Sequence, residues 1–258
     1  GGRLRMSVDV LRAPALGDVP HGFLGRRGGV SGGIHAGLNV GLGSDDERDA
    51  ILHNRDVARD AVLPKSALVT VHQVHSARAL VVDAPFPLDA RPEADALVTN
   101  RPGLLLGVLT ADCVPILFAD TTHGVVGAAH AGWKGALTGV AEATIEAMTS
   151  LGAMRSTIAC AIGPCIGKAS YEVSAGFERP FLEEEPEDER FFTEGRPGHL
   201  QFDIAGYVGA RLARAGIGTV TMLDEDTYSQ PERFFSYRRA CHAGEPGYGR
   251  QISLIGVR

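Results

Sequence analysis

The sequence predicts a mixed α/β or α+β fold: a layered sandwich of mixed β-sheets with flanking helices. Two observations carry this. Strand-like apolar runs follow one another with no helix between them, as in "DALVTNRPGLLLGVLTADCVPILFAD" and then "GVVGAAH". Helical patterns nevertheless recur along the chain, so the strands have covering layers available. A doubly wound parallel sheet would alternate strand and helix throughout, and the strand–strand steps argue against it. Hydrophobic residues make up 44% of the 258 residues and charged ones 22%, enough apolar material for one domain or two closely joined halves.

Taken in order, "GRRGGVSGGIHAGLNVGLGSDD" is glycine-rich and has neither a helical nor a strand period. It reads as a surface linker, or as a lid or anion-contacting loop with arginines among its glycines. "DERDAILHNRDVARDAV" reads as a helix, acidic early, with Leu52, Val57, Ala58 and Ala61 on one face and Pro64 as its stop. "SALVTVHQVHSARALVVDA" holds two short strands, separated by or continued through a pair of histidines. More strands follow, with turns near Asn100–Pro102, and then a Gly-Trp turn into "ALTGVAEATIEAMTSLG", a helix despite its glycine. "TIACAIGPCIG" is a strand and loop, and "SYEVSAGFERPFLEEEPEDERFF" is helical in part with a solvated charged run. "FDIAGYVGARLARAGIG" is an amphipathic helix with a glycine stop, and "TVTMLDEDTY" is a strand. "RFFSYRRACHAGEPGYGRQISLIGV" closes the chain as a loop and a final strand.

The net charge of −6 argues against nonspecific binding to nucleic acid or to an anionic membrane. No apolar run reaches the ~20 residues that span a bilayer, and the longest is broken by Asp112 and Pro115. The N-terminus carries no signal-type segment, so a cytoplasmic protein is expected; the oligomeric state is not fixed by the sequence, and a monomer is the default expectation. Its leading Gly-Gly reads as a non-native remnant, which places a single domain over 6–258 and a remnant or disordered terminus over 1–5. The four cysteines show no close double pairing, and in the cytoplasm they read as buried, ligating or nucleophilic. The chain has no GxGxxG after a strand, no GxxxxGK[ST] loop, no HExxH helix, no GxSxG elbow and no CxxC…CxxC site.

Three segments remain: "TVHQVHS", "LTADCVPILFAD" and "GAAHAGWKG". Each places a His or Cys where an apolar strand gives way to a less regular stretch. On a strand, His72 and His75 would face opposite ways, so one of them enters a given pocket. His75, Cys113 and His130 can assemble into a Cys-His-His metal site with a fourth position open for water or substrate. Alternatively, Cys113 and His130 form a nucleophile–base pair with Asp112 or Asp120 as orienter. A metal would claim the thiolate as a ligand, so the two mechanisms compete for one atom. A packed thiol, a loop-satisfying His130 and a surface His75 account for the same residues without chemistry.

Across nearly its whole length the chain resembles the YfiH-like, laccase-domain family of purine-nucleoside-processing enzymes, historically called multicopper polyphenol oxidoreductases. The segments that carry the resemblance are "RRGGVSGG", "GLNVG", "HNR", "VHQVHS", "TADCVPILFAD", "AAHAGWKG", "IGPCIGKASYEV", "SYRR" and "GRQISLIG", in that order. The resemblance implies the YfiH-like fold and a zinc site at His75, Cys113 and His130, with those three also catalytic. His72 is left to support the loop or line its rim. Copper, favoured by older assignments, also suits mixed N/S donors, but one ligand triad is few for a multicopper oxidase.

The implied activity is zinc-dependent purine nucleoside phosphorolysis of adenosine and inosine with inorganic phosphate. Methylthioadenosine cleavage and adenosine deamination accompany it. The alternatives are a copper-dependent, laccase-like polyphenol oxidase and a metal-stabilised structural or interaction protein. The resemblance assigns phosphate or substrate contacts to Arg27, Asn39, Lys134, Cys165, Glu172 and Arg238. Two positions depart from the family pattern: Lys134 stands where arginine is also common, losing the bidentate fork, and Ser76 stands where glycine is common, which puts the shape of the rim in doubt.

Overall fold

The computed structural model describes residues 7–258; Met6 and the expected remnant at 1–5 lie outside the described residues. The chain opens with strands β1 (Val10–Leu11) and β2 (His21–Leu24), helix α1 (Arg48–Val62), and strands β3 (Ala67–Val69) and β4 (Ala79–Val81). Four strands follow without an α-helix between them: β5 (Ala96–Thr99), β6 (Leu104–Thr110), β7 (Val114–Asp120) and β8 (Val125–Ala131). Then come α2 (Trp133–Thr138), α3 (Val140–Ser150), β9 (Ala159–Ile162), β10 (Glu172–Ser174) and α4 (Arg179–Glu184). The chain ends through β11 (Phe192–Glu194), β12 (His199–Phe202), α5 (Ile204–Arg214), β13 (Thr219–Met222), α6 (Tyr237–His242) and β14 (Gln251–Gly256).

These strands form a five-stranded sheet, β1-β2-β14-β6-β3, a six-stranded sheet, β13-β9-β7-β8-β5-β4, and a small three-stranded one, β10-β12-β11. Both large sheets are mixed. In the first, β3 runs parallel to β6 while β14 is antiparallel to both β6 and β2. In the second, β4–β5 and β9–β13 are parallel and the pairs through β7 and β8 are antiparallel.

Phe23, Val69, Leu106 and Val108 of one large sheet pack with Leu97, Leu117 and Ala128 of the other. Ala58 of α1 packs with Leu105, Ile252 and Leu254 on the outer face of the first sheet. On the second, α3 and α5 join an aromatic cluster that includes Phe181, Phe202 and Tyr207. The layers are therefore helix, sheet, sheet, helix, as the strand–strand steps predict. Strands covered on both faces lose the polar/apolar alternation, and all seven residues of both β7 and β8 are buried.

Three local expectations give way. The buried face of α1 is Ile51, Asn54, Arg55 and Ala58, with Leu52, Val57 and Ala61 only half-buried. Two polar side chains turn inward because they satisfy the glycine-rich loop: Asn54 donates to the Asn39 carbonyl at 2.8 Å, and Arg55 donates to the Val40 carbonyl at 3.1 Å and the Thr70 hydroxyl at 2.6 Å. The helix expected to run through Gly139 breaks there, because Gly139 adopts φ +104°, a left-handed conformation that ends α2 and begins α3. A short helix, α6, occupies the stretch expected as loop before the final strand, and the Ser236 hydroxyl caps it by accepting from the Arg239 amide.

The topology that matters for function is how the chain passes between the large sheets. β3 and β4 belong to different sheets, so residues 70–78 cross from one to the other. β6 and β7 do the same through residues 111–113. Both crossings carry non-glycine residues in the left-handed region, His75 at φ +61° and Asp112 at φ +103°. Such conformations persist only where surrounding contacts enforce them.

Candidate functional site

The two crossings bring His75 and Cys113 beside His130, the penultimate residue of β8. One ligating atom from each lies within 4.8 Å of the others, and this is the one such group of three or more His, Cys, Asp and Glu side chains found among the described residues. The His75 and His130 rings meet edge-on with centroids 4.8 Å apart. Gly132 closes the base of the cluster. A Cβ there would lie 2.7 Å from His75 Nδ1 and 3.2 Å from Cys113 Sγ, so only glycine lets the backbone pass. Two imidazoles and a thiol are a donor set suited to zinc or copper, and the three residues fit a single metal ion.

Asp95, just before β5, organises the cluster from behind. Its carboxylate accepts the His130 Nδ1–H at 2.8 Å, which leaves Nε2 free to face the cluster. It also accepts the amides of Val74 at 3.1 Å, His75 at 3.0 Å and Ser76 at 2.8 Å, and the Ser76 hydroxyl at 2.6 Å. One buried carboxylate thus fixes the tautomer of one candidate ligand and the strained backbone of another. Burial alone would raise its pKa; the hydrogen bonds from His130 and Ser76 and the His130 charge hold it well below the usual carboxylate range.

Burial likewise favours neutral His130, but its interaction with Cys113 and the Asp95 hydrogen bond outweigh it and push its pKa up to about 9 in the metal-free chain. Burial, then the His130 charge, lowers that of His75. Asp112 braces the second crossing: it accepts the Thr227 hydroxyl and the Arg238 amide, each at 2.7 Å. Burial raises its pKa despite those bonds.

The cluster opens onto two cavities. The larger, about 600 Å³, is lined by Gly41–Gly43, His72, Gln73, Arg91, Tyr248 and Arg250 as well as by all three cluster residues. The smaller, about 250 Å³, adjoins His75 and Cys113 and is walled by Trp133, Ile166, Tyr171, Tyr237 and Arg238. Trp133 and Tyr237 are substantially exposed, so their rings are available to a ligand.

His72 and His75 line the same cavity, contrary to the strand-based expectation. Residues 73–78 are not a strand, and the left-handed turn at His75 cancels the alternation. Neither Asp112 nor Asp120 orients His130: Asp120 accepts the His123 ring N–H and the Thr157 hydroxyl, both at 2.8 Å, and Asp95 holds the place.

The other sequence-chosen residues scatter. Arg238 walls the smaller cavity, its guanidinium 5.3 Å from the Tyr171 ring centroid, and donates to the Glu172 carbonyl. The Glu172 carboxylate itself pairs with Arg196 at 2.9 Å. Asn39 is buried and accepts the amides of Gly41 and Arg250, so it shapes the rim of the larger cavity from behind. Cys165 is packed in the core, where burial raises its pKa strongly. Lys134 is exposed on α2, and the nearest carboxylate to Arg27 is that of Asp9 at 4.0 Å; neither lines either cavity. Ser76 turns its hydroxyl to Asp95. Sequence reasoning missed Asp95, Arg91, Tyr171, Tyr248 and Arg250, none of which stands in the three segments that drew attention.

A mixed-sheet sandwich with a His-Cys-His cluster between two cavities defines a class of metal-binding enzyme. The chain matches, over residues 20–258, the family described as multi-copper polyphenol oxidoreductase laccase, and it belongs to that family. Its curated relatives include a purine nucleoside phosphorylase of Deinococcus radiodurans, 40% identical over 97% of this chain and 93% of that protein. Another, from Streptomyces griseus, is 39% identical over 91% of this chain and 94% of that protein. Among solved structures, YlmD from Geobacillus stearothermophilus superposes with a TM-score of 0.87 at 30% identity, covering 100% of this chain and 98% of the other. YfiH from Bacillus licheniformis also gives 0.87 at 30% identity, over 99% and 98%. No described helix is long and apolar enough to cross a membrane.

Proposed function

We propose that the protein is a metal-dependent purine nucleoside phosphorylase, with zinc held by His75, Cys113 and His130. The observation that carries this is the placement of the cluster where an aromatic-walled cavity meets a basic one. Trp133, Tyr171 and Tyr237 offer ring faces to a planar base, and Arg238 offers hydrogen-bond donors to its heteroatoms. A metal bound at the cluster supplies Lewis-acid character at the junction. Asp95 keeps His130 in one tautomer, and the cavity walls hold the base and exclude water. The names of the curated relatives point to the same reaction.

In phosphorolysis an oxygen of dihydrogen phosphate forms a bond to ribose C1′ while the bond from C1′ to the purine nitrogen breaks. The bonding pair leaves with the purine, whose nitrogen takes the proton that phosphate loses. The products are ribose 1-phosphate and free base. Methylthioadenosine changes only the 5′ substituent and reacts in the same way. Deamination of adenosine replaces the C6 amino group by attack of water and consumes no phosphate.

The family description favours a second reading, copper-dependent oxidation of phenols. It calls for copper at the same donors and for oxygen uptake. The test is to quantify metal in purified protein, then supply adenosine, inosine or methylthioadenosine with and without phosphate, and separately a phenol with oxygen monitoring. Free base and sugar phosphate from the zinc-loaded chain support the phosphorylase. Nucleosides left intact while a copper-loaded chain consumes oxygen would replace it with the oxidase.

A further inference from the structure

We infer that Arg91 and Arg250, which both line the larger cavity, form the subsite that holds inorganic phosphate. This deepens the phosphorylase reading and rests on it. The chain carries net charge −6, yet among the described residues no aspartate or glutamate lines this cavity, while two guanidinium groups do. Neither arginine has a carboxylate within 4.0 Å among the described residues. Arg91 gives one donor each from Nε and Nη1 to the carbonyls of Leu88 and Val71 and keeps its Nη2 donors for a ligand, while Asp89 close by is taken by Arg48 at 3.1 Å. Arg250 lies 4.2 Å from the Tyr248 ring centroid and donates to the Tyr248 carbonyl. Arg55, buried and bound to carbonyl and hydroxyl oxygens, adds a third positive charge near Arg91.

The cavity is built for an occupant in two further ways. A Cβ at Gly41 would come within 2.6 Å of Arg250 Cδ, so the loop passes tightly over the stem of that arginine, and Asn39 accepts the amides of both residues. These contacts fix the stem and backbone of Arg250, and its bond to the Tyr248 carbonyl orients the guanidinium. Thr110, 3% exposed, lines the same cavity with a buried hydroxyl that has no hydrogen-bond partner. A buried polar group without a partner is unfavourable, and the cavity is the space from which a partner can come. Planar guanidinium groups without carboxylates match a tetrahedral oxyanion. Phosphate bound here shares the cavity with all three cluster residues.

The same chemistry would recognise the 5′-phosphate of a nucleotide, and the experiment separates the two sources. Arg91→Met and Arg250→Met are made in the zinc-loaded protein, with zinc content and thermal unfolding measured for each. Phosphorolysis of inosine is followed against phosphate concentration, adenosine deamination in the same preparations, and phosphate binding alone by calorimetry. Each variant should raise KM for phosphate at least about tenfold and lower the ratio of phosphorolysis to deamination by a similar factor. Arg250→Lys should recover part of the loss. An unchanged KM for phosphate in a folded, zinc-loaded variant overturns the assignment. So does turnover of a nucleoside monophosphate, in preference to nucleoside, that the variants abolish. If no nucleoside reacts with the parent protein, the phosphorylase reading fails. Calorimetric loss of phosphate binding in both variants would still establish the anion subsite, and equal binding would remove it.

Discussion

The facing strands β7 and β8 and the two inter-sheet crossings are neighbours in space but are held by different forces. In the strands every side chain is buried and most are apolar, so position is fixed by volume and by the regular ladder. In the crossings the backbone takes conformations that L-residues disfavour, and polar groups enforce them: Asp95 holds residues 74–76, and Asp112 is itself held by Thr227 and the amide of Arg238. The lesson is a division of labour. The core supplies stability and a rigid frame, and the crossings use part of it to place His75 and Cys113 beside His130.

This contrast breaks most visibly in the core. Phe118→Ala on β7 removes a fully buried ring and should cost about 3–5 kcal/mol in chemical denaturation, with metal affinity per folded chain unaltered. A loss of metal affinity matching the loss of stability would show that frame and site are not separable. Asp95→Asn tests the other half: it should lower metal affinity about 10–100-fold in competition with a chromophoric chelator. Unchanged affinity would mean that the ligands place themselves. Gly132→Ala pushes a methyl group toward His75 and Cys113 and should cost on the order of 1–3 kcal/mol, felt as weaker metal binding more than as lower stability of the metal-free chain.

A further effect is a pH dependence confined to the metal-free protein. His130 is raised from 6.5 to about 9 in the folded state, so its contribution to stability is fully present below pH ~6.5 and is lost as pH rises through about 9. Thermal unfolding of chelator-treated protein should therefore decline across that window. Metal binding expels the proton, so the loaded protein should lack this decline and metal affinity should rise with pH. Parallel profiles with and without metal would exclude His130 as a ligand.

Much of the frame was legible because burial leaves a pattern in sequence. The runs that became β5 to β8 stand out by apolar content, and α5 stands out by its stripe and its stop at Gly216, φ +77°. The break at Gly139 and the short helix α6 were not legible, since each depends on a single local conformation or cap. The ligand candidates were visible as irregular residues at strand ends, and the family resemblance selected among them. What lay hidden was supplied from far along the chain. Asp95 stands 35 residues from His130, and Arg250 stands 211 from Asn39. A carboxylate before a strand and an arginine after a turn look ordinary until topology brings them to the cluster. The His72–His75 alternation failed for the opposite reason: a strand rule was applied to a segment that leaves its sheet.

The most direct test of the central claim is free-base release from inosine as a function of bound zinc, in the parent protein and in Cys113→Ala. The account predicts phosphate-dependent release that rises linearly to one zinc per chain and disappears with the metal in the variant. Undiminished release from folded protein whose site is empty would contradict it.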